Sequence, residues 1–154
     1  MSIFIFALLI GIIAGLRAMT APAAVAWAAY LGWLPVAGTW AGFVGHWIAV
    51  AIFTIAALAE LVTDQLPSTP SRKVPQQFGA RIVTGALSGA VIGTAGGAML
   101  VGLIAGVIGA VIGTYGGAEA RARLAGTFGK DLPAALIEDA VAILGALWIV
   151  SAVV

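Results

Sequence analysis

Cysteine is absent from the 154 residues, histidine occurs once, and formal charge is scarce, with seven basic and six acidic side chains making up 8% of the chain. Without cysteine there are no disulfides, no thiolate chemistry and no palmitoylation. A net charge of +1 leaves no electrostatic footprint for nucleic acid. Soluble domains carry about 25% charged residues, so this chain has too few polar groups to cover a water-facing surface. No Ser–His–Asp arrangement and no H-E-x-x-H occurs, and Gly93-Thr94-Ala95-Gly96-Gly97 is not followed by the lysine of a phosphate loop. No catalytic residue and no cofactor is expected, and an enzyme is the less expected class. His46 has no second histidine or cysteine to share a zinc ion, so a hydrogen-bonded interface residue beside Trp47 is the expected role.

What the chain has is apolar length. It is 62% hydrophobic, with a mean hydropathy of +1.15. It reads as one all-α integral membrane domain, residues 1–154, of about six short or broken transmembrane segments, with four or five spans as the alternative. The N-terminus lacks the basic region of a signal peptide, so the first apolar segment is expected to be retained.

One stretch interrupts the apolar pattern: Gly15-Leu16-Arg17-Ala18-Met19-Thr20-Ala21-Pro22. An arginine at a transmembrane helix centre costs about 2.5–3.5 kcal/mol on insertion scales, so Arg17 requires a partner. The run from Ile3 to Trp33 would measure about 46 Å as one helix at 1.5 Å per residue, against a hydrocarbon core of about 30 Å. Two short segments, 3–16 and 21–33, hinged at Arg17, fit better. Thr20 is expected to cap the second, with Pro22 in its first turn. Leu34–Gly38 is an uncharged turn bracketed by Trp33, Trp40 and Trp47, as an interfacial aromatic belt would be. A full span is expected from about Ala41 to Leu66, then a polar loop over 67–77 containing Arg72 and Lys73. Residues 79–117 are dense in glycine at a spacing of four, which lets helix backbones approach closely. They are expected to form segments 80–94 and 98–114, broken at Thr94–Gly97. Glu119–Asp131 reads as a second basic, interfacial segment, and Asp131 and Pro133 open a last helix.

If both basic segments face the cytoplasm, 79–117 must cross twice, because a single crossing would place Arg121, Arg123 and Lys130 outside. At the front, one crossing puts the N-terminus inside and two put it outside. The second option is preferred because it sets Arg17 level with Glu60 and Glu138. Three segments then precede the first basic loop and three follow it, giving halves 1–75 and 78–154 of opposite sense, as in inverted-repeat transporters. The sequence echo is Gly15-x-Arg17-x-x-Thr20 against Gly79-x-Arg81-x-x-Thr84.

The candidate site residues are the ionisable groups held in apolar surroundings: Arg17, Glu60, Asp64, Arg81, Glu138 and Asp139. Glu60 and Asp64 share a helix face. With Glu138 or Asp139 they could form a cation or proton site. Adjacent residues point about 100° apart on a helix, so one of Glu138 and Asp139 is expected to face a partner, and Glu138 is favoured. Arg17 and Arg81 could hold a carboxylate or phosphate. The plain alternative for all six is a structural ion pair or an interfacial position.

The order Gly-Leu-Arg-Ala at 15–18, Glu60-x-x-x-Asp64-x-x-Pro67, Gly79-x-Arg81 and Pro133-x-x-x-x-Glu138-Asp139 resembles a family of small bacterial membrane proteins classed as a domain of unknown function. The resemblance covers most of the chain. It implies a bacterial cytoplasmic (inner) membrane and carries no activity. Three functions are therefore expected, in this order. The first is a transporter or channel for an ion, proton-coupled solute or small anion. Next comes a structural subunit packing through its glycine ridges, including as a homo-oligomer, and last a lipid-headgroup binder or enzyme at the cytoplasmic face, with Arg17, Arg81 and Arg121 on the phosphate and a carboxylate as base or metal ligand. The bilayer is a partner in each.

Overall fold

A computed structural model describes residues 3–63 and 75–153. Among them the chain is all helical: α1 (Ile3–Leu16), α2 (Thr20–Tyr30), a 3-10 helix (Trp40–Gly45), α3 (Trp47–Thr63), α4 (Pro75–Ala95), α5 (Met99–Phe128) and α6 (Asp131–Val153). Three of these, α4, α5 and Leu132–Val153 of α6, are long and apolar enough to cross a membrane, and α1 and α3 are shorter apolar helices. The chain is an integral membrane protein by this measure. Large apolar side chains are exposed along α3, α5 and α6, among them Ile55, Leu100 and Leu144, which is the surface a lipid solvent demands.

The helices alternate in direction. Ile3 packs against Gly96 at one end and the Arg81 Nε–H donates to the Gly15 carbonyl at the other, so α1 and α4 are antiparallel. Gly109 lies beside Leu8 and Gly113 beside Ile12, which makes α5 parallel to α1. α2 leaves the Arg17 end and returns toward the 3-10 helix, where Ala29 meets Gly45. α3 runs back along it, with the Trp27 indole N–H donating to the Thr54 hydroxyl at 2.9 Å.

Glycine sets how closely α1, α4 and α5 pack. Cβ atoms built on Gly11, Gly85, Gly89, Gly102, Gly106, Gly109 and Gly113 would each fall on the backbone of a neighbouring helix, at less than real Cβ contact distances. The ridges spaced by four are thus consumed inside the chain. Gly97, at φ +78°, makes the turn between α4 and α5. Ser88 and Thr114 are fully buried, and neither hydroxyl has a hydrogen-bond partner among the described residues. An unmet buried hydroxyl is costly. Ser88→Ala should therefore leave stability unchanged or raise it by about 1 kcal/mol, as read from the denaturation midpoint in micelles, and a clear loss would show that the hydroxyl is used.

Several boundaries differ from the sequence reading. α2 stops at Tyr30 rather than 33, in a turn through Gly32 at φ +83°. The third span does not begin near Ala41, because extended backbone at His46 separates the 3-10 helix from α3. His46 is exposed, stacks on Trp47 and accepts the Ile48 N–H on Nδ1 at 3.2 Å, which caps the start of α3. Residues 75–77 are not loop but the first turn of α4. α5 runs to Phe128, well past 114, before Gly129 closes it in the left-handed conformation, so most of the second basic segment is helix.

Every charged side chain that the structure describes lies at one end of the bundle, where α1, α3 and α5 finish and α4 and α6 begin. The other end carries exposed Tyr30, Trp33, Trp40, Phe43 and Trp47. There the Trp40 indole N–H donates to the Thr94 hydroxyl at 3.0 Å.

Candidate functional site: a helix break closed by a six-residue charge cluster

The site begins with a backbone problem. α1 ends at Leu16 and α2 starts at Thr20. In an unbroken helix the amides of Ala18 and Met19 would bond to the carbonyls of Ala14 and Gly15. Inside a membrane those freed groups must find other partners. Glu60, near the end of α3, accepts both amides, from Ala18 at 2.8 Å and from Met19 at 2.9 Å. Arg81 of α4 takes the released Gly15 carbonyl through its Nε–H at 3.1 Å. The Arg81 guanidinium then lies 4.0 Å from Glu60, joining the two repairs. Gln77, one turn before Arg81, holds the guanidinium from its side chain at 3.0 Å and its carbonyl at 3.3 Å. The negative carboxylate also sits where the N-terminal dipole of α2 favours it.

This corrects the expected role of Thr20. Its side chain makes no capping bond to α2, and the carboxylate from α3 occupies that position. A charged acceptor that takes two amides outcompetes a hydroxyl able to serve one. Thr20 instead borders an apolar groove of about 170 Å³ with Trp27, Thr54, Leu58 and Leu147.

Arg17 emerges from the break and is fully buried. Its Nε–H donates to Asp139 Oδ1 at 2.6 Å, and its Nη2 contacts the same oxygen. Its Nη1 lies 3.3 Å from Glu138 Oε1. Both acids of α6 thus reach Arg17, whereas only one was expected to face a partner, and the closer one is Asp139 rather than the favoured Glu138. The fan of guanidinium donors spans the angle between adjacent helical positions, and the longer glutamate side chain closes the remaining gap. Arg121 of α5 shares Glu138 Oε1 at 3.4 Å.

The structure therefore brings together five of the six candidates: Arg17, Glu60, Arg81, Glu138 and Asp139. Asp64 lies outside the described residues. Arg121 joins them, so among the described residues three guanidinium groups face three carboxylates. These six are formally neutral and largely buried, from Arg17 with no exposure to Arg121 at 17%. The candidate set of isolated charges in apolar segments left out Arg121, because it falls in a visibly basic stretch, and the sequence offered it only as one of three arginines for a lipid phosphate. Gln77 was legible in principle, since it stands four residues before Arg81 on one helix face. The Ala18 and Met19 amides and the Gly15 carbonyl carry no side-chain signal. Among the described residues no three of His, Cys, Asp and Glu are grouped to hold a metal ion.

The Gly-x-Arg-x-x-Thr echo does not relate the two arginines by inversion. Arg17 follows the end of α1 and Arg81 lies near the start of α4, and both come to the same end of the bundle. No protein-family model, curated protein or solved structure matches the chain, so the family resemblance stands on its motifs alone.

Proposed function

We propose that this is a small membrane transporter for an ion, a proton-coupled solute or a small anion, and that the charge cluster is its closed gate. The observation that carries the reading is the α1–α2 break, held open by ionisable side chains of two other helices, with Glu60 on its amides and Arg81 on its carbonyl. Discontinuous helices with half-helix ends that meet charged groups are the usual material of transporter sites. Gating follows from the chemistry. When Glu60 leaves the amides of Ala18 and Met19, it exposes an anion-favouring helix start beside Arg81. When Asp139 and Glu138 leave Arg17, these ties of α6 to the break are lost.

On this reading the six helical segments form two halves of opposite sense, α1–α3 and α4–α6. The charged end faces the cytoplasm of a bacterium, following the positive-inside rule. The antiparallel run of α1 and α4 supports the halves. The packing of the glycine ridges within the chain disfavours the reading as an assembly subunit that docks through them.

Proteoliposomes loaded against chloride and pH gradients test the proposal. The wild type should carry a flux, and Glu60→Gln or Glu138→Gln, by loosening the closed gate, should raise it at least about tenfold, the scale expected when one charge-assisted contact is removed. Wild-type vesicles no leakier than empty ones would sink transport of these ions. Flux unchanged in both variants would remove the carboxylates from the mechanism.

One observation favours a second reading, the cluster as a neutral structural lock. Arg17 has no exposed surface, and Glu138 and Asp139, which contact it, sit side by side on one helix. Absence of flux together with full loss of folding in Arg17 variants would support that alternative.

A further inference from the structure

We propose that the cleft between α5 and α6 seats one anionic phospholipid, with an acyl chain in its apolar trough and its phosphate on Arg121. The cleft has a volume of about 120 Å³ and runs along one face of α5 against α6. Ala120 and Leu124 line it from α5, and Ile137 and Val141 from α6. Ile137 and Val141 are 40% and 54% exposed, so the trough opens on the lipid-facing flank of the bundle. Its apolar walls offer water no hydrogen bonds, and in a bilayer the solvent that can fill it is hydrocarbon.

Depth supplies the second argument. From Met99 to Ala118 α5 carries no charge, a length of about 30 Å at 1.5 Å per residue and one hydrocarbon thickness. Arg121 follows by three residues and therefore lies at headgroup level when the chain beneath it is immersed. It is the only arginine of the cluster that lines this cleft. Arg17 and Arg81 are sealed inside, at 0% and 2% exposure.

Charge selects the headgroup. Between Glu119 and Asp131 the chain has Arg121, Arg123 and Lys130 against Glu119 and Asp131, and Arg123 is already paired with Glu119 at 3.0 Å. Glu138 also borders the cleft, but Arg17 stands 3.3 Å from the same oxygen that Arg121 approaches at 3.4 Å, so its charge is divided between two cations. Basic pockets between transmembrane helices on the cytoplasmic side attract anionic headgroups by this balance. The lipid site does not depend on transport, and a protein without flux would keep it.

The test uses the full chain in nanodiscs of phosphatidylcholine and phosphatidylglycerol in equal parts, with co-released lipid identified by native mass spectrometry. Wild type should retain phosphatidylglycerol over phosphatidylcholine. Arg121→Gln should cut that preference about fivefold, the contribution of one basic group at the surface, while a lipid chain is still retained. Ala120→Phe, which fills the trough, should release both lipids. Arg123→Gln, at a residue 79% exposed and paired with Glu119, should leave the preference within about twofold of wild type. Equal retention of the two lipids by wild type would overturn the proposal, as would an unchanged preference in Arg121→Gln. Should Arg121→Gln fail to fold, Ala120→Phe decides, and wild-type retention in that variant would overturn it. Displacement of the lipid by soluble glycerol phosphate would reassign the site to a free phosphate and overturn the commitment to lipid.

Discussion

Arg17→Met should leave little folded protein, with a loss of about 3–5 kcal/mol, the usual result of removing one partner from a buried ion pair. The methionine fills the aliphatic part of the site. It takes from Asp139, a largely buried carboxylate, the guanidinium that the structure places against it through two nitrogens. Glu138 suffers less because Arg121 stands 3.4 Å from it. That asymmetry makes a double variant informative. Arg17→Met with Asp139→Leu removes the pair whole, and replacing a buried pair by apolar groups is often neutral. The double variant should therefore recover most of the loss, giving a coupling energy well above the few tenths of a kcal/mol typical of independent sites. Unfolding midpoints in mixed micelles provide the cycle. A single variant as stable as wild type would mean that Arg17 is not the charge that holds Asp139.

Gly106→Ala should destabilise by about 1–3 kcal/mol, at the upper end of that range because the obstacle is backbone. The added methyl would meet the Gly85 carbonyl of α4, and Gly106 itself lies under Gly11 of α1, whose own Cβ would strike the Gly106 carbonyl. Three helices share this crossing, so relief on one side tightens the other. Gly116 provides the contrast ten residues along the same helix. A Cβ there has nothing within 4 Å, so Gly116→Ala should be neutral or stabilising by up to about 1 kcal/mol through helix propensity. Opposite shifts in the unfolding midpoint are the expected signature. Equal shifts would mean that the seam between α1, α4 and α5 yields to a methyl group.

The two variants also mark what could be read in advance. Glycine at a spacing of four announces a close approach but does not say to what. Gly85, Gly89, Gly102 and Gly106 have the pattern of an interface with another chain as much as of an internal seam, and only the α4–α5 hairpin, turning at Gly97, folds one ridge onto the other. The helix break was visible for a similar reason. A charge, two helix breakers and excess length coincide at 15–22, and no single apolar helix satisfies all three. The boundaries were less legible. Nothing in the charge-free stretch from Leu34 to Val50 separates a 3-10 helix from the start of α3, because the difference rests on backbone angles around His46.

The class of the protein and the need of Arg17 for partners were decided by the sequence itself, whereas its one-ended distribution of charge was one of two options that the sequence left open. Transfer of charge and of unpaired backbone into hydrocarbon is so costly that composition and length alone restrict the outcome. Which partner serves which group was decided only by the tertiary structure. Glu60 is 42 residues from the Ala18 amide that it accepts, and Asp139 is 122 residues from Arg17. Local sequence holds no trace of pairings at that range. They exist because the break after the short α1 falls at the end of the bundle where α3 finishes and α4 and α6 begin, with α1 held against α4 and α5 by the close glycine seam.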